Sequence, residues 1–449
     1  MRLWISAFSA ITFGACFLHA QEPGSATYLV DLPTVLRLAG AQNLDIQIAQ
    51  ERRKEALANQ TSAVEGFFPW LSPGIAYHRR DGMTQAVPAG TVSESDFQSY
   101  APGAAVAGQV DFGSALYKSL EAKQLVKASD HAFETQRQDS ILSAAQGYFD
   151  LTRAKALVGV ARESLKYSQD YQQELHEAVA SGIAFKGDEI RIQTESERYQ
   201  IALRQALEHQ RIAAANLADI LHLDPTVELV PQDDGLTPIT LFASDVPISD
   251  LVQHALINRP EIKQSGDIIA ASRAAKDGAV YGPLIPTLGT QVFAGGYGGG
   301  HTAQPSNFGG AEDSLVSLSW RIGPGGLFDS GRINASKAQL AATSLGDAKL
   351  KDAIATEVVV SDAHMQSVSD QIALAKLTLA SASETLRLTG ERRQFGVGIV
   401  LEYIQAEQAL DQARSDYFTV IAEYNKAQYG LNKAVGGPPE AEKIPRATK

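Results

Sequence analysis

The chain has 449 residues, a formal net charge of −12 at pH 7, 44% hydrophobic residues and 20% charged residues. This length is enough for two or three ordinary domains, and the composition is that of a folded rather than a disordered protein. The negative charge argues against a nucleic-acid partner, because binding to phosphates requires a basic surface.

Residues 1–20 have the pattern of an export signal, in which a basic start precedes an apolar run over residues 3–18. The only cysteine, Cys16, lies inside this segment, so cleavage after Ala20 would leave a chain without cysteine. A second interpretation takes FGAC as a lipoprotein signal, in which Cys16 becomes the acylated first residue. Both interpretations predict that the chain leaves the cytoplasm.

The rest of the sequence is a duplication of one unit. Three stretches of the first half align with three of the second: residues 35–71 with 251–288, 112–124 with 328–340, and 180–190 with 395–404. The predicted organisation is a first repeat at 21–222, a linker rich in proline and aspartate at 223–248, a second repeat at 249–436 and a flexible tail at 437–449.

Both repeats predict the same order of elements, namely a helix, two strands joined by a polar loop, a very long helix and a shorter helix. In the first repeat these lie at 33–66, 70–80, 100–112, 114–179 and 186–221. In the second repeat they lie at 249–282, 286–296, 314–323, 331–394 and 399–434. The long helices would span about 100 Å at 1.5 Å per residue, which favours a slender helical assembly. Periodicity alone also allows an ordinary helical bundle.

The strand pattern is clearest at residues 314–323, where Val316, Leu318 and Trp320 alternate with serines. Aromatic residues flank the predicted strands, as they do in an interfacial girdle, although the edge of a soluble sheet would look similar. These residues are Phe67, Phe68, Trp70, Trp320 and Phe328. The loops between paired strands, at 81–98 and 295–313, are small and polar.

After the signal, no apolar run approaches the roughly 20 residues that a membrane-spanning helix requires. A membrane part built from these strands must therefore be a closed β-barrel. Four strands are too few to close, so this interpretation requires several copies of the chain. A soluble α+β protein with two small hairpins is the alternative.

The order of these features resembles that of the TolC-like outer-membrane efflux proteins. The shared features are the duplicated unit, a Pro-x-Leu start to each hairpin at 69–71 and 286–288, the sequence LFDSG at 327–331 before a very long helix, and a glycine break before a shorter one. The resemblance implies a mainly α fold with a small membrane β part. It further implies a homotrimer in the outer membrane, with a twelve-stranded β-barrel made from four strands per chain and a long α-helical barrel in the periplasm.

The resemblance also implies function and partners. Proteins of this family conduct substrates outward, joined to an inner-membrane pump through a periplasmic adaptor protein. The glycine breaks then become the periplasmic tips that meet the adaptor. The residues implied in docking are Gly182, Ile183 and Ala184 in the first repeat and Gly396, Val397 and Gly398 in the second.

The family often carries two aspartates, three residues apart, around a closed aperture just beyond the second tip. In this chain Glu402 occupies the first position and Gln405 the second, while Asp188 is the counterpart of Glu402 in the first repeat. At most one acidic ring is therefore expected, with Arg392 and Arg393 near enough in sequence to hold it closed. The alternative is that Glu402 is a solvated carboxylate in a first helical turn, where a negative charge is favoured.

The sequence predicts no catalytic site, cofactor site or metal site. The nine histidines are scattered and lack metal-ligand spacing, and no G-x-S-x-G motif occurs. The leading hypothesis is a passive outer-membrane exit duct. The other hypothesis is a periplasmic coiled-coil adaptor or scaffold without a pore.

Overall fold

A computed structural model describes residues 27–68, 71–85, 90–232, 235–242, 246–301, 308–394 and 399–437. The predicted export signal, Trp70, the turn at Gly396, Val397 and Gly398, and most of the predicted tail lie outside these ranges. Within the described residues, no helix is both long enough and apolar enough to cross a membrane.

Helices make up most of the fold. They are α1 (Leu32–Gln42), α2 (Leu44–Glu65), α3 (Phe112–Ala180), α4 (Lys186–Ile220), α5 (Ile248–Asn258), α6 (Pro260–Tyr281), α7 (Ser330–Gln394) and α8 (Val400–Ala434). The strands are β1 (Thr27–Val30), β2 (Leu71–Gln85), β3 (Val92–Asp111), β4 (Glu228–Pro231), β5 (Thr287–His301) and β6 (Phe308–Ser319). The ends of α3, α4, α7 and α8 lie within about two residues of the bounds expected from helical periodicity.

The first helix of each repeat differs from the prediction, since the spans 33–66 and 249–282 are each divided into two helices. The first break is at Asn43, whose backbone is extended and whose side chain accepts a hydrogen bond from the Asp45 N–H at 2.7 Å. An asparagine in this conformation caps the helix that follows it. The second break is at Arg259, because a residue that precedes a proline is disfavoured in the α conformation.

The strands extend well beyond the prediction, so that most of the loops expected at 81–98 and 295–313 is β-structure. Polar and glycine-rich segments can continue a ladder because backbone hydrogen bonds require no apolar side chain. At Gly298 the absence of a side chain admits the stacked rings of Tyr100 and Phe308, whose centroids are 5.9 Å apart. The final strand begins before the predicted 314–323 but ends earlier, at Ser319, and left-handed turns follow at Gly323 and Gly325.

The four long strands form one antiparallel sheet in the order β2-β3-β5-β6. Its register places Val110, Leu288 and Leu318 in one row across three strands, and Asp111, Thr287 and Ser319 in the next row. Because successive residues of a strand point to opposite faces, the sheet has one apolar face and one polar face near the helices.

The main core lies about midway along the helices. Among its members are fully buried side chains from α1, α3, α4 and α8, namely Leu36, Tyr148, Phe149, Leu217 and Ile421. The short parallel pair β1-β4 covers this core.

The segment after β4 is held to α8 by buried amides. Asn425 Oδ1 accepts from the Ile239 N–H at 2.7 Å, and Gln428 Oε1 accepts from the N–H groups of Leu241 and Phe242 at 3.0 and 2.9 Å.

A buried arginine joins the short helices of the second repeat to the long ones. The side chain of Arg259 is 3% exposed, and its guanidinium contacts Glu261 at 2.6 Å and Glu357 at 2.5 Å. Lys433 of α8 lies 3.5 Å from Glu357 and 3.8 Å from Glu261. Burial alone would favour the neutral acid, but the hydrogen bonds from Arg259 hold the pKa of Glu261 below its usual value.

Candidate functional site at the helical tips

The first tip is the reversal between α3 and α4. Gly182 has a φ of 73°, and its N–H donates to the Val179 carbonyl at 3.0 Å while the Ile183 N–H donates to the Ala178 carbonyl at 2.9 Å. This pair of hydrogen bonds is the Schellman ending of a helix, which requires a left-handed residue and so favours glycine. The glycine predicted as part of a docking turn therefore has a defined structural role.

The apex of the first tip is apolar and open to solvent. Ile183 and Phe185 are each 83% exposed, whereas Ala184 is partly buried and packs against a cluster of buried side chains, namely Tyr171, Leu175, Ile192 and Ile404. The structure thus places two of the predicted residues, Ile183 and Ala184, on opposite sides of the turn. It adds Phe185, which sequence comparison missed because the second repeat has no aromatic residue at the matching position.

A charged cluster lies immediately behind this apex. The carboxylate of Glu189 is buried and contacts His176 Nδ1 at 2.9 Å and Lys186 Nζ at 2.7 Å. The hydrogen bond with His176, followed by that with Lys186, lowers the pKa of Glu189. These contacts join the last turns of α3 to the first turn of α4.

The second tip joins α7 to α8, and Ile399 is the first described residue after its turn. The predicted docking residues Gly396, Val397 and Gly398 fall outside the described ranges and stay predictions.

The candidate aperture residues lie in or near the first turns of α4 and α8. Glu402 is half-buried, and its Oε2 lies 3.1 Å from Nη1 of Arg392 at the end of α7. Asp188 lies 3.4 Å from Arg191 in its own helix, and Gln405 is exposed. Both candidate carboxylates are therefore paired with arginines of the same chain.

Arg393 binds three helices together at the second tip. Its guanidinium lies 4.5 Å from the ring centroid of Tyr171 on α3 and 4.9 Å from that of Tyr403 on α8. It also pairs with Glu174 of α3 at 3.1 Å. A cation placed between two aromatic faces is attracted to both. In the sequence Arg393 stands out only as a neighbour of Glu402, and no pattern marks the two tyrosines.

The described aromatic residues predicted for a membrane interface lie where the long sheet meets the helices. Phe67 packs against Phe112 with 6.3 Å between ring centroids, and the indole N–H of Trp320 donates to the Leu284 carbonyl at 3.2 Å. Phe68 and Phe328 are exposed. Their role at a membrane stays a prediction. Within the described residues, no group of three or more histidine, cysteine, aspartate or glutamate side chains is arranged to hold a metal ion.

Comparison with known proteins finds a family match in the second repeat. Residues 251–437, nearly the whole second repeat, match the sequence model for the outer membrane efflux protein family. The second repeat is therefore similar to this family, and the match covers less than half of the chain.

Individual proteins are similar to this chain over most of its length. It is 25% identical over 379 residues to protein CyaE of Bordetella pertussis, covering 82% of this chain and 75% of CyaE. It superposes on the CmeC outer membrane channel of Campylobacter jejuni with a TM-score of 0.74 and 17% identity, covering 90% of this chain and 85% of CmeC. With VceC of Vibrio cholerae the TM-score is 0.71 at 17% identity, covering 90% and 96% of the two chains.

Proposed function

We propose that this chain is an outer membrane efflux protein that acts as a passive exit duct, which conducts substrates from a periplasmic adaptor and an inner-membrane pump to the outside. The observation that carries the proposal is that the two ends of the long helices have different structures. A four-stranded sheet with an apolar face lies at one end of the long helices, and the turn from α3 to α4 lies at the other, beside the end of α7 and the start of α8. The proposed mechanism is conduction through a shaped passage and includes no catalytic step.

The proposed assembly is a homotrimer. The sheet ends in two edge strands, β2 and β6, which pair on one side only within the chain. Unpaired strand edges are completed by further strands, and four strands from each of three copies give a barrel of twelve. Large apolar side chains also project unpaired from the helices, including Leu374 and Leu377 on α7 and Ile201 on α4. Such residues fit helix packing between copies.

The trimer can be tested on detergent-purified protein by native mass spectrometry. The expected particle contains three copies of the chain, whose full-length mass is 48.0 kDa. A folded monomer at all protein concentrations would overturn the proposed barrel, since a monomer has too few strands to close one.

The proposed adaptor contact uses the exposed apex of the first tip. Replacing Ile183 and Phe185 together with serine is expected to reduce adaptor binding at least about tenfold, because two large apolar side chains contribute roughly 1.5 kcal/mol or more each. Binding can be measured by crosslinking to the purified adaptor. Ile212→Ser, which alters an exposed apolar residue far along α4, is the matched control. Equal binding by all three proteins would remove this apex from the interface.

Glu402 and Arg392 are proposed to line the closed aperture, where converging carboxylates attract cations. Replacing Glu402 with glutamine is therefore expected to weaken block by multivalent cations in single-channel recordings. Glu384→Gln changes a carboxylate on the exposed surface of α7 and is the control. Unchanged block in the Glu402 variant would place this residue away from the aperture.

A further inference from the structure

The contact of α8 with the α3/α4 pair contains a group of buried carboxylates that the duct proposal does not use. We call this contact the seam, defined by Ser164 and Ser168 of α3, Glu195 and Tyr199 of α4, and Glu407 and Asp411 of α8. The seam lies a few helical turns from the tips, between the tip residues and the main core.

Glu407 is the unusual member of the seam. It is 2% exposed, and neither oxygen of its carboxylate has a hydrogen-bond partner. Its two acidic neighbours are both satisfied. Glu195 accepts from Gln408 Nε2 at 2.8 Å and contacts Arg198 at 3.3 Å, and Asp411 accepts from Ser164 Oγ at 2.6 Å.

An ionised carboxylate in this position would lack any compensating contact. Burial, followed by the nearby charges of Glu195 and Asp411, raises the pKa of Glu407 to about 8. The hydroxyl of Tyr199 is also buried without a partner. Protonation of Glu407 removes a negative charge that has no hydrogen-bond or ion-pair partner at this position.

Among the residues that the structure describes, no cation on the elements around Glu407 forms an ion pair with its carboxylate. From α3, Ser168 bonds to Ser196 of α4 at 3.0 Å, and Glu163 pairs with Arg414 of α8 at 3.0 Å. From α7, Arg393 lies against Tyr403, whose pKa is raised to about 12, first by burial and then by Glu407. The cation Arg198 is engaged with Glu195.

We propose that Glu407 is a proton-operated switch that keeps α8 packed against α3 and α4 when protonated and loosens the seam when ionised. The inference rests on the proposed duct function only for its effect on conduction. The packed seam binds the proton more tightly than an open, hydrated seam would. Packing at Glu407 is therefore fully stabilised below the ordinary carboxyl pKa of 4.5 and weakens as the pH rises through the window from 4.5 to about 8.

The seam can be tested by hydrogen–deuterium exchange of the detergent-purified full-length protein at pH 6, 7, 8 and 9. The wild-type rate for residues 404–411 is divided by the rate in Glu407→Gln at the same pH, which removes the intrinsic pH dependence of exchange. The ratio is expected to rise by about tenfold or more from pH 6 to pH 9. Glu208→Gln, at an exposed position of α4, should behave as wild type. A ratio that stays constant with pH would overturn the proposal.

A second variant keeps the test decisive if Glu407→Gln does not assemble. Glu195→Gln removes one of the charges that oppose ionisation of Glu407, so the transition in exchange should move to lower pH. A transition that does not move would count against the switch. In planar bilayers, channels whose pH response is the same in wild type and Glu407→Gln would contradict the switch alone. A protein that makes no channels would instead contradict the duct proposal. The exchange experiment alone would then decide whether Glu407 is a switch.

Discussion

Replacing Arg259 with methionine is expected to lower the free energy of unfolding by about 3–5 kcal/mol, the usual cost of removing one partner from a buried ion pair. The substitution leaves Glu261 and Glu357 facing each other without the guanidinium that binds both. It also removes the contact of Arg259 with the Ala434 carbonyl at the end of α8. Chemical denaturation in detergent, followed by circular dichroism, measures the loss.

The matched control for this variant is Arg53→Met, because Arg53 also forms an ion pair, with Asp130, but on the surface. Exposed pairs contribute about 0–1 kcal/mol, so this variant should be close to wild type. Adding Glu261→Gln and Glu357→Gln to Arg259→Met should recover part of the loss, since no unpaired buried charge then remains. Equal stability of the Arg259 and Arg53 variants would show that the buried cluster is not a stabilising contact.

The cluster of Arg259, Glu261 and Glu357 also predicts that the stability of the protein depends on pH. Because the folded-state pKa of Glu261 is lowered, its contribution to stability is present above the ordinary pKa of 4.5 and is lost as the pH falls towards the folded value. Arg259→Met should therefore lose less stability than wild type when the pH is lowered from 6 to 3.

Replacing Arg393 with alanine is expected to open the second tip. The two aromatic contacts of its guanidinium contribute together about 2 kcal/mol, which corresponds to a roughly thirtyfold rise in the ratio of open to closed tips. The end of α7 would lose its attachment to Tyr171 and Glu174 of α3 and to Tyr403 of α8. Increased leak current in single-channel recordings is the expected result.

Arg387→Ala provides the control for Arg393, because Arg387 lies on the same helix and pairs with Glu384 and Glu391 of that helix alone. Removing it changes the charge by the same amount without detaching α7 from other helices. A similar leak in the two variants would mean that charge, and not attachment of the tip, controls the current.

The long helices were predictable from sequence because their signal extends over dozens of residues and occurs twice. The break at Asn43 was not, since the side chain of this residue is held by a contact distant in sequence, in which its Nδ2 donates to the Ile220 carbonyl at 3.0 Å. The full length of β5 was also missed, because a run of glycines carries no alternating pattern although its backbone pairs along the whole ladder.

The candidate site also contains residues that were predictable from the sequence and residues that were not. Gly182 was identified because a turn that is used twice in a duplicated chain leaves a visible repeat. Tyr171 and Glu407 were not identified, since each is important through contacts with residues distant in sequence, and periodicity marks them as ordinary helix positions. A buried carboxylate differs from a solvated one only by its tertiary neighbours.

The central claim, that this chain forms a conducting duct, is tested most directly by single-channel recording of the purified full-length protein in planar bilayers. The expected result is discrete current steps from wild-type trimers, with a larger leak in Arg393→Ala than in Arg387→Ala. Folded protein that inserts into the bilayer and produces no current steps, in wild type and in Arg393→Ala alike, would contradict the claim.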